Sequence, residues 1–295
     1  MDSCADTDGD GEAAGSSAAR SADERRSVHS AAPSGPATLA IDIGGTGLKA
    51  SVLDTSGSME HDRVRVATPY PMPPEKLLAV LTDLVRPLPH FERASVGFPG
   101  MVREGRILSA PHFVSPSGPG GKPSPKLVRA WDRFDLQHAL AEALHTPCKV
   151  ANDADLQGAA VVTGHGLELV LTLGTGLGSA FFYDGRLLPH LEFAHHPFRK
   201  DLTYNEVLGE AARKKSGTKR WTKRVLEAID TFRALCFFDH CYLGGGNSAR
   251  LEVELPADVT VVDNSAGILG GIKLWERDTG QVAPSPSPAG EDPHR

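Results

Sequence analysis

A short apolar run, Cys148 to Ala151, leads into Asn152 and Asp153, with Asp155 two residues on. An amide and a carboxylate at a strand end suit chemistry on an alcohol. The carboxylate can take a hydroxyl proton while the oxygen attacks phosphorus, and the amide can donate and accept toward neighbouring hydroxyls. Asp153 is therefore the candidate general base, and Asn152 a candidate hydroxyl contact. The same residue types have an ordinary structural use, because Asn or Asp before a helix satisfies orphan amides. Asp155 fits that helix-start role better than Asp153.

Phosphorus chemistry also needs a holder for phosphate. Asp42, Gly44, Gly45 and Thr46 close the run AIDIGGT, and Gly174, Thr175 and Gly176 sit in the similar LTLGTGLG. Glycine lets backbone approach a ligand closely, and successive N–H groups can cradle phosphate oxygens. Gly245 and Gly246, within GGG, add a third glycine-rich strand end. Asp42 could hold magnesium through water or help orient the donor phosphate. Lys49 follows the first turn on an alternating strand, where a lysine on an exposed face is the simpler reading. Neither turn has P-loop order, and GGTGLK leads into a strand, not the helix of a dinucleotide fingerprint. Most glycine turns bind nothing; here the recurrence is what attracts attention.

The segment LEFAHHPFRK carries Glu192, His195, His196, Arg199 and Lys200. As a helix it would put Glu192 and His195 on one side, able to grip vicinal hydroxyls; as a loop its charged end could face a phosphate donor. A metal site at Glu192, His195 and His196 lacks a cysteine cluster to complete it, and H-E-x-x-H order is absent. Between Arg199 and Arg224 the charge turns positive, with Lys214 and Lys215 among nine cations facing three acids. A solvated helix face or a polyanion track both explain that run. No helix-turn-helix or zinc-finger spacing points to nucleic acid.

These residues need a frame. Met1 to about Ala37 and residues 278–295 are polar and small, with little to bury, so both read as disordered tails. Between them strands and glycine turns alternate with helices at PPEKLLAVLTDLVRPL, WDRFDLQHALAEAL, LQGAAVV, KRWTKRVLEAIDTFRALCFF and SAGILGGIKLWE. The Pro/Gly-rich stretch from Pro111 to Pro125 should carry no regular element. The two strand–turn–strand units form a weak internal repeat, implying two related α/β halves, 38–150 and 151–277, facing a cleft. The acidic, polar start lacks a signal-peptide pattern, no apolar run spans a bilayer, and the four cysteines form no close pair. A cytoplasmic protein without membrane or nucleic-acid partners is expected.

Together, AIDIGGTGLKA, VGFPG, ANDAD, LTLGTGLGSAFFYDG, LEFAHHPFRK, TYNEVLG and DHCYLGGGN resemble the ROK sugar kinases, and within them the bacterial polyphosphate glucokinases. The resemblance runs from about Leu39 to Glu276. It implies an actin-like (ribonuclease H-like) fold of two similar α/β domains around a cleft, and transfer of phosphoryl from polyphosphate or ATP to the 6-hydroxyl of glucose. It places the base on Asp153 and sugar contacts on Gly100, Asn152, Glu192 and His195. Phosphate-holding turns fall on Gly44, Gly45, Thr46, Gly174, Thr175 and Gly176, with Gly245 and Gly246 beside a nucleotide's sugar and base. Polyphosphate handling falls on His196, Arg199, Lys200, Lys214 and Lys215. Magnesium, a homodimer and no structural zinc are also implied. The chain departs from the family's E-x-G-H at Ala194, and its 111–125 loop is unusual. Alternatives are an ATP-preferring kinase of glucose or mannose, a non-catalytic sugar sensor of the same fold, and a polyanion-binding module.

Overall fold

The first half of the chain builds a five-stranded sheet and a small three-stranded one. The structure, a computed structural model, describes residues 35–59, 61–263 and 266–276. The expected tails therefore lie outside the described residues, apart from 35–37. Along β1 (Thr38–Ile43), Leu39, Ile41 and Ile43 alternate onto one buried face. A three-residue glycine turn leads to β2 (Gly47–Leu53), antiparallel to β1, and then to β3 (Val64–Ala67) at the edge. Helix α1 (Pro74–Val85) opens on a proline, which suits a first turn, and buries Leu77, Leu81 and Val85 on one stripe. Then β4 (Arg93–Phe98) pairs parallel with β1.

Between β4 and the end of the sheet the chain departs from the expected elements. WDRFDLQHALAEAL is not one helix. The chain forms β5 (Val102–Arg103), β6 (Arg106–Ile107), α2 (Pro125–Trp131), β7 (Phe134–Asp135) and α3 (Leu136–Leu144). Arg133 adopts a left-handed φ of 53°, Phe134 and Asp135 pair with β6, and Asp135 bonds Arg106 and caps α3 through the His138 amide. Tertiary pairing overrides helix propensity there. Of the expected irregular stretch, 111–124 has no regular element while Pro125 already opens α2, and the stretch is anchored: buried Phe113 packs among Tyr70, Phe98 and Trp131.

β8 (Cys148–Asn152) completes the order β3-β2-β1-β4-β8, and α4 (Asp153–Val161) follows directly. The second half repeats the plan. β9 (Leu167–Leu173), a three-residue glycine turn and β10 (Leu177–Tyr183) form the same hairpin, with β11 (Arg186–Leu187) at the edge. After β12 (Pro197–Arg199), β13 (Leu202–Thr203), α5 (Tyr204–Leu208), α6 (Glu210–Ser216) and α7 (Thr218–Cys236) come β14 (His240–Gly244), β15 (Val259–Val261) and α8 (Ala266–Glu276). Sheet order is β11-β10-β9-β14-β15, with strand directions matching the first sheet pair by pair. The internal repeat is thus a repeat of topology.

Helix α7 shows how sequence pattern becomes packing. Trp221, Val225, Ile229 and Phe232 are all buried against the second sheet, each stabilising the fold by about 1.5–3 kcal/mol. Helix α8 returns to the first sheet, where the Ser95 hydroxyl donates to the Gly271 carbonyl at 2.6 Å. It crosses α4 so closely that a Cβ on Gly270 would lie 1.7 Å from the Leu156 carbonyl oxygen. Only glycine permits that crossing. Among the described residues no helix is long and apolar enough to cross a membrane.

Candidate active site

The junction of β8 and α4 sets the candidate base. Asn152 is the N-cap: its side-chain oxygen accepts from the Ala154 amide at 2.7 Å, and its amide donates to the buried Gly100 carbonyl at 2.9 Å. Both ends of Asn152 are thus engaged, and the VGFPG loop is fixed to the start of α4. Capping belongs to Asn152, and Asp155 takes the helix-start position, buried in the first turn of α4. Asp153 opens the helix with its carboxylate exposed to a cavity of about 610 Å³, which it lines together with Asp42, Lys49, Gly97 and Gln157.

Asp153 faces water yet lies on the cavity floor with protein on most sides. That desolvation pushes its pKa up to about 6, helped by the negative charges of Asp42, Asp155 and Glu192 and opposed by the Ala154 amide. A carboxylate poised there is ionised at neutral pH and a stronger base than an ordinary aspartate. Lys49 reaches Asp42, Nζ to Oδ2 2.8 Å, so it is a partner of the candidate metal residue and not a plain surface lysine.

Behind Asp153 lies a group that sequence reading missed. The His190 Nδ1 is 2.9 Å from Asp155 Oδ1, and its Nε2 is 3.7 Å from Glu192 Oε2. Burial alone would lower the His190 pKa, but the Asp155 hydrogen bond and the nearby Asp155 and Glu192 carboxylates outweigh it and raise it to about 9. Burial pushes the Asp155 carboxyl up, against the His190 hydrogen bond and charge, while the ring itself faces an acid on either side. The only signal in sequence was a histidine two residues before Glu192.

The segment after β11 is neither a full helix nor a plain loop. Glu192 precedes a 3₁₀ turn, Phe193–His195, with Ala194 buried, and strand β12 follows. Glu192 is partly buried and close enough to influence Asp153; His195 and His196 are exposed, and neither lines the cavity with Asp42 and Asp153.

Each glycine turn is held by its own surroundings. At the first, the Thr68 and Tyr70 hydroxyls donate to the Gly44 and Gly45 carbonyls at 2.7 Å, leaving Thr46 exposed. At the second, Asn205 Oδ1 accepts from the Leu177 amide, while the Gly174 carbonyl accepts from the Glu210 amide and from Asn247 Nδ2. Asn247 and Gly245 join the GGG corner to this turn. Gly245 has φ 82°, and a Cβ there would lie 2.4 Å from the Leu173 carbonyl oxygen. Thr68, Tyr70, Asn205 and Asn247 were not singled out from sequence, although the last two stand inside TYNEVLG and next to GGG.

The basic run spreads over three elements. Arg199 on β12 bonds Glu227 of α7, Lys214 lies 3.5 Å from Glu210 on α6, and Lys200 and Lys215 are exposed. Lys219, Arg220 and Lys223 border a shallow hollow where α7 begins. Among the described residues no three His, Cys, Asp or Glu side chains converge to hold a metal. Magnesium carried mainly by phosphates and water needs only one or two carboxylates, and Asp42, open to the cavity, fits that lesser demand.

The ROK family model matches residues 38–190, more than half of the chain. The chain belongs to the ROK family. A polyphosphate glucokinase of Mycobacterium tuberculosis is 26% identical over 255 residues, covering 81% of this ROK chain and 91% of that protein. Among solved structures, the inorganic polyphosphate/ATP-glucomannokinase from Arthrobacter sp. strain KM matches with a TM-score of 0.66 at 26% identity, covering 82% of this chain and 100% of that one. A ROK family glucokinase from Streptomyces griseus, solved with glucose and AMPPNP, gives 0.58 at 18% identity, covering 81% and 98%, a likeness of fold. The ROK chain therefore has the actin-like α/β fold expected from its sequence.

Proposed function

We propose that this protein is a sugar kinase that moves the terminal phosphoryl group of polyphosphate, or of ATP, to the 6-hydroxyl of glucose. One observation carries the reading: Asp153 opens onto a cavity it shares with Asp42, with its pKa pushed up to about 6. That is the environment of a general base working near neutral pH. The glycine turns, the family and the polyphosphate-using relatives support the same reading.

In this mechanism glucose sits with O6 near Asp153, and Glu192 and His195 hold its other hydroxyls. Gly100 shapes the sugar side through its bond to Asn152. Asp153 takes the O6 proton as O6 bonds to phosphorus and the bridging P–O bond to the shortened donor breaks. Amides of Gly45, Thr46, Thr175 and Gly176 steady the phosphoryl oxygens, where preorganised donors act strongly, while the Gly44 and Gly174 amides close the turns by donating to the Gly47 and Gly176 carbonyls at 3.0 Å. Asp42 would hold magnesium, which would neutralise charge on the donor. Gly245 and Gly246 flank a nucleotide donor, and His196, Arg199, Lys200, Lys214 and Lys215 guide a polyphosphate one. Closure of the cleft keeps water from taking the phosphoryl group.

The test supplies glucose, mannose and other hexoses separately with polyphosphate and with ATP, and measures hexose phosphate directly. Glucose 6-phosphate from polyphosphate is the expected product. Formation from ATP alone would leave a glucokinase without the polyphosphate step, and no product from any pair would remove the kinase reading.

A further inference from the structure

We propose that His190 is a positioning residue for Glu192: clamped by Asp155, its ring aims Nε2 at the Glu192 carboxylate and fixes how that carboxylate meets a sugar. The inference rests on the reading of Glu192 as a sugar contact.

The geometry is specific. The side chains of His190 and Asp155 are 2% and 4% exposed, and Nδ1 is bonded at 2.9 Å. The other ring nitrogen, Nε2, is buried with no hydrogen-bond partner. A buried donor left unmade is costly, so it needs an explanation. The nearest acid is Glu192, whose Oε2 stands 3.7 Å away, slightly beyond a hydrogen bond, on a side chain that remains 25% exposed. A small turn of Glu192 closes that gap. Sugar hydroxyls bonding the outer face of the carboxylate would hold it in the closed position, so Nε2 gains its partner when the sugar arrives.

The charges agree. Asp155, Glu192 and Asp153 influence one another electrostatically, and His190 is the cation among them. With both ring nitrogens protonated, each is a donor, which suits an acid on both sides. His190 also links two elements that the sugar must find in register, since Asp155 lies on α4 two residues after Asp153 while Glu192 lies beyond β11.

The experiment uses His190→Asn, whose amide can replace Nδ1 toward Asp155 but cannot reach Glu192. A KM for glucose raised about tenfold or more, with kcat within about threefold and the donor KM unchanged, is expected. Glu192→Gln should act similarly, and the double variant should add less than about threefold, because the pair works as a unit. A merely structural strut predicts a lower Tm with an unchanged glucose KM; that outcome, or additive effects in the double variant, overturns the proposal.

A second measurement needs no substrate. The His190 ring is titrated by NMR in the parent protein and in Glu192→Gln, with Asp153, Asp155 and Glu192 the acids that face the cluster. Loss of the Glu192 charge should lower the ring pKa by about one unit; an unchanged titration overturns the pairing. A parent that phosphorylates no hexose but shows that shift would sink the kinase reading while the His190–Glu192 coupling stands.

Discussion

Asn152 donates its side-chain amide to the Gly100 carbonyl at 2.9 Å, tying the loop after β4 to the first turn of α4. The same side chain caps the helix that begins with Asp153. Asn152→Ala removes both interactions and leaves a buried carbonyl unpaired. A loss of about 1–3 kcal/mol is expected, read by chemical denaturation, together with a fall in kcat as Asp153 loses its seat. Asn152→Asp keeps the cap oxygen but not the donor, and should fall between.

The acid limb of the pH–rate profile reports Asp153. As a base it must be ionised, and its pKa is pushed up to about 6. Values of kcat/KM should rise with pH through about 6 and then level. A limb near 4 would mean that the titrating group is an ordinary carboxylate.

Asp153 also bears on stability. Its folded pKa is raised above the 3.8 of an unperturbed aspartate, so its contribution is present below about pH 3.8 and lost as pH rises through about 6. Asp153→Asn should therefore stabilise the protein at pH 7–8 by about 1 kcal/mol, a figure reduced because the carboxylate faces water. Thermal melts at pH 8 and pH 3.5 should show the gain only at the higher pH.

Donor choice is read from the basic run. Replacing Arg199, Lys200, Lys214 and Lys215 with neutral residues should raise the polyphosphate KM at least about tenfold more than the ATP KM, and added salt should narrow the difference. Equal changes for both donors would speak against a polyphosphate track.

The GGG corner gives a further contrast. Gly245→Ala forces a methyl against the Leu173 carbonyl at φ 82° and should cost about 1–3 kcal/mol, with a visible loss in Tm. Gly246→Ala, exposed next to it, should leave Tm near that of the parent.

Much of this was legible in sequence where a pattern is local. The Trp221–Phe232 stripe has helical period, and TLAIDI alternates with period two, so α7 and β1 follow from side-chain spacing alone. The doubled hairpin was legible because each three-residue turn sits between two apolar runs. What failed to show depends on distant partners. Phe134 and Asp135 became a strand because β6 lies alongside, and the carboxylate of Asp155, at the helix start as expected, turns inward because His190, 35 residues later, meets it there. A lone histidine carries no mark of the acids that will surround it. Tyr70 and Thr68 likewise gain their use only when the 68–70 segment folds over the first turn.

The most direct measurement is hexose phosphate formed by purified Asp153→Ala from glucose with polyphosphate and with ATP. The account predicts a loss of at least about a thousandfold in kcat with both donors, in a protein whose melt shows it folded. Turnover equal to the parent's would contradict it, because the proton of O6 would then have gone elsewhere.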